Sequence, residues 1–191
     1  MNANYMTEPL IFIIESVFSL YILAVVLRFL LQWSRAEFYN PISQFLVKIT
    51  HPVLKILRRY IPPVGKIDTS SIVLALGLRM FEDFSILMLK GFTISVGALA
   101  LYSMSNLISL LFDVFIYAVI ASAVLSWLNP SSFNAVSSIL HSLTEPLLDT
   151  CRKFIPDFGG IDLSPLLALM MLQLAKMVII PPLNQLVSLI S

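Results

Sequence analysis

The chain has 191 residues, of which 58% are apolar and 12% are charged, and its net charge is +1 at pH 7. This composition, with a mean hydropathy of +0.91, is typical of a membrane protein and excludes an ordinary soluble domain. Eight of the 12 basic residues lie in two blocks, residues 35–66 and 152–153, and no sustained basic face alternates with aromatic side chains, so nucleic acid is not an expected partner. The single cysteine, Cys151, excludes an internal disulfide and any CxxC pair for metal or redox chemistry.

The first predicted membrane span covers residues 10–33, which is long enough for the hydrocarbon core of a bilayer. It contains Arg28, whose long side chain is expected to reach the headgroups, and Glu15, which is either interfacial or an intramembrane polar site. An amphipathic segment follows at residues 40–60. Its apolar residues recur at i, i+3, i+4 and i+7, and Pro52 is expected to divide it into two short helices or to leave one broken helix.

A turn connects this segment to the second predicted span, residues 71–97. Prolines end the amphipathic helix, Gly65 supplies the turn, and Asp68 or Ser70 is expected to cap the next helix. A short uncharged link at residues 98–104 follows the second span. The first half of the chain is therefore predicted as span, amphipathic segment, turn and span.

The second half of the chain repeats this order of elements. Predicted spans cover residues 105–128 and 165–190, and a second amphipathic segment covers residues 134–154. Pro181 and Pro182 are expected either to kink the last helix or to end it early, with the remaining residues lying at the interface.

These elements form a tandem duplication, because a motif recurs 94 positions later with every spacing kept. In the first copy, the motif consists of Thr50, Pro52, Arg58, Pro62, Gly65, Asp68 and Ser70. In the second copy, it consists of Thr144, Pro146, Arg152, Pro156, Gly159, Asp162 and Ser164. The predicted domains are one repeat at residues 1–97 and a second repeat at residues 98–191.

The predicted fold is an all-α membrane protein built as a tandem parallel repeat. Each repeat has two transmembrane helices joined by a proline-broken amphipathic interfacial helix, which makes four transmembrane helices in total. Both repeats enter the membrane in the same direction, so both motif loops face one compartment. Because basic residues are concentrated there, the positive-inside rule predicts cytoplasmic motif loops and both termini on the outside.

Two groups of charged residues are candidate functional sites. The basic residues of the amphipathic segments are predicted to bind anionic lipid headgroups or a protein partner, and they are Lys48, Lys55, Arg58, Arg59, Arg152 and Lys153. The second group lies within the predicted spans and consists of Arg79, Glu82, Asp83, Asp113 and Lys176. Arg79 is expected to pair with the two acids that follow it at i+3 and i+4, and Lys176 to approach the same acids across the bundle.

No pattern in the sequence predicts catalysis. His51 and His141 are not repeat partners and lack metal-ligand spacing, so both are expected to be solvated at the interface. The sequence contains no GxSxG elbow, phosphate-binding glycine loop or Cys/His pair. Asp68 and Asp162 are explained as helix-start caps, or else as members of a shared charged site with the arginines of the motif. The prediction is a protein that is not an enzyme and has no catalytic residue, metal or cofactor.

The motif residues carry a resemblance to a known family. Asn40-Pro41, reduced to Asn134-Ala135, precedes a Thr-x-Pro, an Arg and an Ile-Pro-x-x-Gly-x-Ile-Asp-x-Ser stretch in both copies. In these features the sequence resembles the YggT family of bacterial inner-membrane proteins, related to YlmG-like proteins of Gram-positive bacteria and plastids. The resemblance implies a multi-pass protein with no assigned enzymatic activity. It also implies links to osmotic stress tolerance, to envelope and division functions, and to cytochrome maturation or nucleoid partition in plastids.

Two functional hypotheses remain open. The leading hypothesis is a non-enzymatic scaffold or assembly factor at the cytoplasmic membrane face, which binds anionic headgroups and a membrane-protein partner or a second copy of itself. The alternative is an oligomeric small-ion or solute channel or transporter that uses the intramembrane charges. Four short spans leave little room for a channel inside one protomer, so the alternative requires oligomers.

Overall fold

A computed structural model of the chain describes residues 4–37, 39–65, 67–128, 134–154 and 162–190. These ranges contain six α-helices, in chain order α1 (Asn4–Trp33), α2 (Pro41–Leu57), α3 (Thr69–Leu89), α4 (Val96–Leu128), α5 (Ala135–Arg152) and α6 (Ser164–Ile190). Apart from one isolated bridge between Val64 and Ile67, the described ranges contain no β-structure. The predicted all-helical fold is confirmed for this part of the chain.

Three helices are long and apolar enough to cross a membrane. These segments are Thr7–Trp33, Val96–Ser126 and Ser164–Ile190. The remaining long helix of the predicted four, α3, has 21 residues but carries three charged side chains. Length and composition in the described part of the chain therefore support three of the four predicted spans.

The link between α3 and α4 lies earlier in the chain than predicted. α3 ends at Leu89, so the predicted second span of residues 71–97 is too long, and α4 already begins at Val96. Residues 98–104, predicted as a link, are helical. Gly91, with φ at +76°, ends α3. The uncharged residues after position 97 were predicted as a link, but they are mainly alanine and leucine, which are strong helix formers.

The helices α1 and α3 end in the same Schellman geometry with different residues. After α1, the Ala36 N–H donates to the Leu31 carbonyl at 2.9 Å, and the Arg35 N–H donates to the Gln32 carbonyl at 3.3 Å. Arg35 occupies the left-handed position with φ at +55°, where α3 has Gly91. Because a side chain in left-handed backbone costs roughly 1–2 kcal/mol, Arg35 is a strained residue at a position that normally takes glycine.

The breaks predicted at Pro52 and Pro146 are not found in the described helices. α2 continues through Pro52 and α5 continues through Pro146. α6 passes both Pro181 and Pro182 and ends only at Ile190, so the last helix continues instead of ending early. Each proline removes one helical hydrogen bond, but these helices are held by packing against their neighbours, which is the main source of helix stability in a folded protein.

The two repeats pack in the same way and share one core. α1 packs on α3 and α4 packs on α6, while α3 and α4 join the repeats. The largest core cluster takes buried side chains from both repeats, including Ile22, Leu54 and Leu74 from the first and Val114 from the second. The two repeats therefore share part of their hydrophobic core.

The short helices α2 and α5 begin with equivalent asparagine caps. The Asn40 side chain accepts a hydrogen bond from the Ile42 N–H at 2.9 Å, and Asn134 accepts one from Val136 N–H at 3.0 Å. Asn40 also donates through Nδ2 to the Ala135 carbonyl at 2.7 Å. The starts of α2 and α5 therefore form a second contact between the repeats.

The motif turn returns the chain from α2 to α3. Val64 and Ile67 exchange two backbone hydrogen bonds of 3.1 Å, and Gly65 lies between them with φ at +61°, which glycine adopts without strain. The carbonyl of Pro62 accepts a hydrogen bond from the Thr69 hydroxyl at 2.6 Å. The corresponding Pro156 and Gly159 of the second copy lie outside the described residues.

Candidate functional site

The motif forms an arginine–aspartate pair in each repeat. Arg58 donates through Nη2 to Oδ2 of Asp68, and Arg152 donates through Nη2 to Oδ2 of Asp162 at 3.2 Å. The structure thus brings together the arginine and the aspartate that the spacing of the motif singled out. The two pairs differ in their burial and in the other charged groups around them.

The first pair lies at the start of α3, where its aspartate is buried and its arginine is one-third exposed. Asp68 is only 2% exposed and also accepts a hydrogen bond from the Ser71 hydroxyl at 2.8 Å. The adjacent Ser70 hydroxyl donates to the Ile61 carbonyl at 2.7 Å, which ties the turn to the helix. Burial opposes the charged form of Asp68, but the bonds from Arg58 and Ser71 outweigh it, so the pKa of this carboxyl lies below its ordinary value.

The second pair belongs to an exposed network. Nη1 of Arg152 donates to Glu145 at 2.7 Å and to Asp149 at 2.9 Å, in addition to the bond with Asp162. Glu145, and after it Asp162, raise the pKa of Arg152 above its ordinary value. His141 lies 3.2 Å from Glu145 through Nδ1. Three carboxylates therefore occupy Arg152, which leaves this residue poorly placed to bind a further anion.

We expect acid to weaken the first pair more than the second. Because the folded-state pKa of Asp68 is depressed, its contribution to stability is complete above its unfolded pKa of about 4 and is lost as pH falls through the folded value. Asp68→Asn is therefore expected to reduce the loss of thermal stability between neutral pH and about pH 3, measured on protein in detergent. Asp162→Asn is the matched control, with a smaller effect because water screens this half-exposed pair. An unchanged acid sensitivity in Asp68→Asn contradicts the prediction.

Three charges of α3 form a buried cluster. Arg79 lies 3.0 Å from Glu82 and 3.4 Å from Asp83, as the i+3 and i+4 spacing predicts. Glu82 is 1% exposed and also accepts a hydrogen bond from the Ser19 hydroxyl of α1 at 2.8 Å. Arg79 therefore balances one of the two negative charges, and the bond from Ser19 ties α3 to α1.

Asp83 extends this cluster into the second repeat. Its Oδ2 accepts hydrogen bonds from the Ser103 hydroxyl at 2.9 Å and from the Asn106 amide at 3.2 Å, both on α4. Sequence reasoning missed these residues and Ser19. The sequence did contain a signal for them, because each is an isolated hydroxyl or amide within an apolar span. Such groups are costly in lipid unless they have a hydrogen-bond partner.

Lys176 does not pair with the acids of α3, and the predicted contact across the bundle is wrong. Its Nζ lies 2.5 Å from Oδ1 of Asp113 on α4. This pair occupies the repeat positions of Ser19 and Glu82, because both residues are shifted by 94. The repeat operation therefore preserves a polar contact within each repeat, and only the residue types differ.

Arg28 was expected to extend to the headgroups, but in the structure its side chain is buried. Arg28 is 7% exposed and donates through Nη1 to Oγ1 of Thr50 at 2.7 Å. Thr50 in turn donates to the Leu46 carbonyl at 2.6 Å, and its repeat partner Thr144 makes the same backbone contact at 2.8 Å. Thr50 thus anchors an arginine that the second repeat lacks, because serine stands at the equivalent position 122.

The remaining candidate basic residues lie on surfaces. Lys48, Lys55 and Arg59 are exposed on or just after α2, and Lys153 is exposed after α5. Of the other polar candidates, Glu15 is exposed on α1, where it borders the buried charges of α3. The exposed lysines of α2 are free to meet a headgroup or a partner, unlike Arg152.

The two halves of the chain match one family model. The CCB3/YggT model aligns with residues 7–89 and again with residues 101–183. The chain belongs to the CCB3/YggT family. The two CCB3/YggT matches begin 94 residues apart, as the motif does, and correspond to α1–α3 and α4–α6.

Relatives within the family align over most of the chain. An uncharacterised protein of Pseudomonas aeruginosa is 42% identical over 172 residues, covering 89% of this chain and 87% of that protein. The uncharacterised protein YggT of Escherichia coli K12 is 32% identical over 170 residues, with coverage of 89% and 88%. The chloroplastic YlmG homolog protein 2 of Arabidopsis thaliana is 47% identical over 49 residues, which is 26% of this chain and 19% of that protein. No solved structure matches the chain.

Proposed function

We propose that this CCB3/YggT protein is a non-enzymatic scaffold or assembly factor of the bacterial inner membrane, with its motif loops at the cytoplasmic face. In this proposal, α3 is the fourth span, α2 and α5 lie in the interface, and both termini are outside. The concentration of basic residues around the motif supports this orientation. A role in osmotic stress tolerance or in envelope and division organisation is the cellular setting that fits such a scaffold.

The contacts of α3 support its assignment as a span. Its 21 residues extend about 32 Å at the helical rise, which matches the hydrocarbon core. Its two acids are almost completely buried, with Arg79 as their counter-charge and hydrogen bonds from α1 and α4. Charged groups inside a membrane are tolerated when they face protein and are paired, as these are.

The observation that carries the scaffold proposal is the outer surface of α2. Phe45, Val53 and Ile56 are 60%, 39% and 65% exposed and form an apolar stripe. Exposed Lys48 and Lys55 form a basic stripe beside it. An apolar stripe beside a basic one is typical of a helix that lies on a membrane or binds a partner at its surface.

The second repeat offers a matched comparison for this stripe. The residues at the equivalent positions of α5 are Ile139 and Leu147, which are half-buried, and Thr150, which is polar. The apolar stripe on α2 therefore does not follow from the repeat architecture alone. It marks α2 as the more favourable surface for a partner.

Photo-crosslinking in native membranes tests the scaffold proposal. A crosslinking amino acid at position 56 is expected to capture a protein partner, and one at the equivalent position 150 is expected to capture severalfold less. Ile56→Ser, tested without the crosslinking amino acid, should reduce co-purification of that partner while leaving membrane insertion unchanged. Equal capture from the two positions, or no protein adduct from either, counts against a scaffold that acts through α2.

The polar cleft beside the α3 cluster supports a second candidate function, an oligomeric ion or solute pathway. The cleft has a volume of about 230 Å³ and is lined by Glu15, Lys90 and Tyr102 in addition to the buried charges. In favour of the scaffold, the charges of the cluster already serve as partners for one another. Flux through purified protein in liposomes, abolished by Glu82→Gln, would support the pathway, and sealed liposomes would exclude it.

A further inference from the structure

A cleft lies where the end of α1, the inner face of α2 and the motif turn meet. Its volume is about 540 Å³, which is within the range of small-ligand sites. Arg28, Arg35 and Arg58 line this arginine cleft, together with Asp68. Three positive charges against one negative charge give these lining residues a net charge of +2. Apolar side chains such as Leu46 complete the wall.

The arginine cleft contains polar groups that the fold leaves unused. Thr50 accepts from Nη1 of the buried Arg28, but no described residue accepts a hydrogen bond from its Nε or Nη2. The hydroxyl of Ser43, a residue only 7% exposed, is buried in the wall and has no partner among the described residues. Oδ1 of Asp68, on the same wall, is likewise buried without a partner among the described residues. Buried polar groups are nearly always hydrogen-bonded in folded proteins, so the Ser43 hydroxyl and this carboxylate oxygen indicate a polar ligand.

The strained backbone of Arg35 points to the same conclusion. Arg35 occupies a left-handed position that glycine fills without cost, as Gly91 does at the end of α3. Strained residues that persist in a fold cluster at ligand-binding sites. Here the strained residue is an arginine, and it lines the cleft together with Arg28 and Arg58.

The equivalent cleft of the second repeat has a different charge. It encloses about 210 Å³, and among the described residues its lining includes one arginine, Arg152, two acids, Glu145 and Asp162, and His141. Ser122 replaces Arg28 there, and the acids already bind Arg152. The first cleft is therefore larger than its counterpart and differs from it in charge, because three arginines face one acid there.

We propose that the arginine cleft binds the phosphate group of an anionic phospholipid. Guanidinium groups bind phosphate oxygens through paired, charge-assisted hydrogen bonds, and the Ser43 hydroxyl supplies a further donor. The apolar part of the wall and the position of the cleft at the end of the α1 span favour a lipid over a free anion. This inference rests on the membrane placement in the proposed function, but not on the partner surface of α2.

Native mass spectrometry of the purified full chain tests the inference. The protein is offered equal amounts of phosphatidylglycerol and phosphatidylcholine, and retained phosphatidylglycerol is counted. The wild type is expected to retain one phosphatidylglycerol in preference to phosphatidylcholine. Arg35→Gly should lower this retention roughly tenfold, because it removes a charge-assisted contact. Its thermal midpoint should not fall, because glycine suits the backbone of that position.

Two further variants and a competitor complete the test. Arg28→Gln is expected to lower retention as Arg35→Gly does, and Arg152→Gln, in the matched cleft, is expected to leave retention unchanged. Equal retention of both lipids, or wild-type retention by folded Arg35→Gly, overturns the proposal. Release of the lipid by millimolar inorganic phosphate overturns it in favour of a free phosphate anion. The assay contains no partner protein, so its outcome is independent of crosslinking from α2.

Discussion

Replacing Arg79 with methionine is expected to destabilise the protein by about 3–5 kcal/mol, because it removes the counter-charge of two buried carboxylates. Glu82 and Asp83 are 1% and 4% exposed, so water does not stabilise them once the guanidinium is lost. Their hydrogen bonds from α1 and α4 remain, but serine and asparagine donors carry no charge. The measurement is reversible unfolding of the detergent-solubilised protein, followed by helical circular dichroism as sodium dodecyl sulfate is added.

Two controls separate lost charge from lost packing in this experiment. Gln173→Met changes the repeat counterpart of Arg79, which is exposed, and should alter stability by less than about 0.5 kcal/mol. Arg79→Met combined with Glu82→Gln and Asp83→Asn removes all three charges and should recover much of the loss. If the triple variant is no more stable than Arg79→Met alone, charge compensation is not what the cluster provides.

The second large effect is expected at the Asp113–Lys176 pair. Each residue lies near the middle of a helix that is apolar enough to span a membrane. Lys176→Met leaves the Asp113 carboxylate without its partner, and a single acid at the centre of a span costs about 2.5–3.5 kcal/mol.

Exchanging the two charges tests whether the loss of stability comes from the Asp113–Lys176 pair. Asp113→Lys alone places two lysines together and should be at least as destabilising as Lys176→Met. Adding Lys176→Asp restores opposite charges with the order reversed, and most of the stability should return. Additive losses in the double variant, measured by the same unfolding titration, mean that the two side chains act independently.

The repeat explains why much of the fold follows from sequence. An ungapped offset of 94 residues predicts that each contact in one half has a counterpart in the other. The pairs Arg58–Asp68 and Arg152–Asp162 are such counterparts. Helix type and order also follow, because apolar periodicity and length require only local information.

Other features depend on tertiary contacts that no local pattern reports. Pro52 ought to end a helix by its backbone chemistry, yet α2 continues because its neighbours hold it in place. The partner of Lys176 depends on which helices are adjacent, and the adjacency of α4 and α6 was not available from the charges alone. The arginine cleft escaped prediction for the same reason, since Arg28 and Arg58 lie on segments that are distant in sequence.

The Asp83 contacts have a consequence for how many units this architecture can contain. The hydrogen bonds of Asp83 join α3 of the first repeat to α4 of the second. This interface is head-to-tail, so a third unit would continue the array from α6. The equivalent positions on the two free ends are Met177 on α6 and Phe12 on α1, exposed apolar residues that do not contact each other's helices in the described structure. Both free ends therefore carry apolar residues where the junction of the repeats has Asp83 and Asn106, so in the described structure this polar interface occurs between the two repeats and is not repeated at the ends.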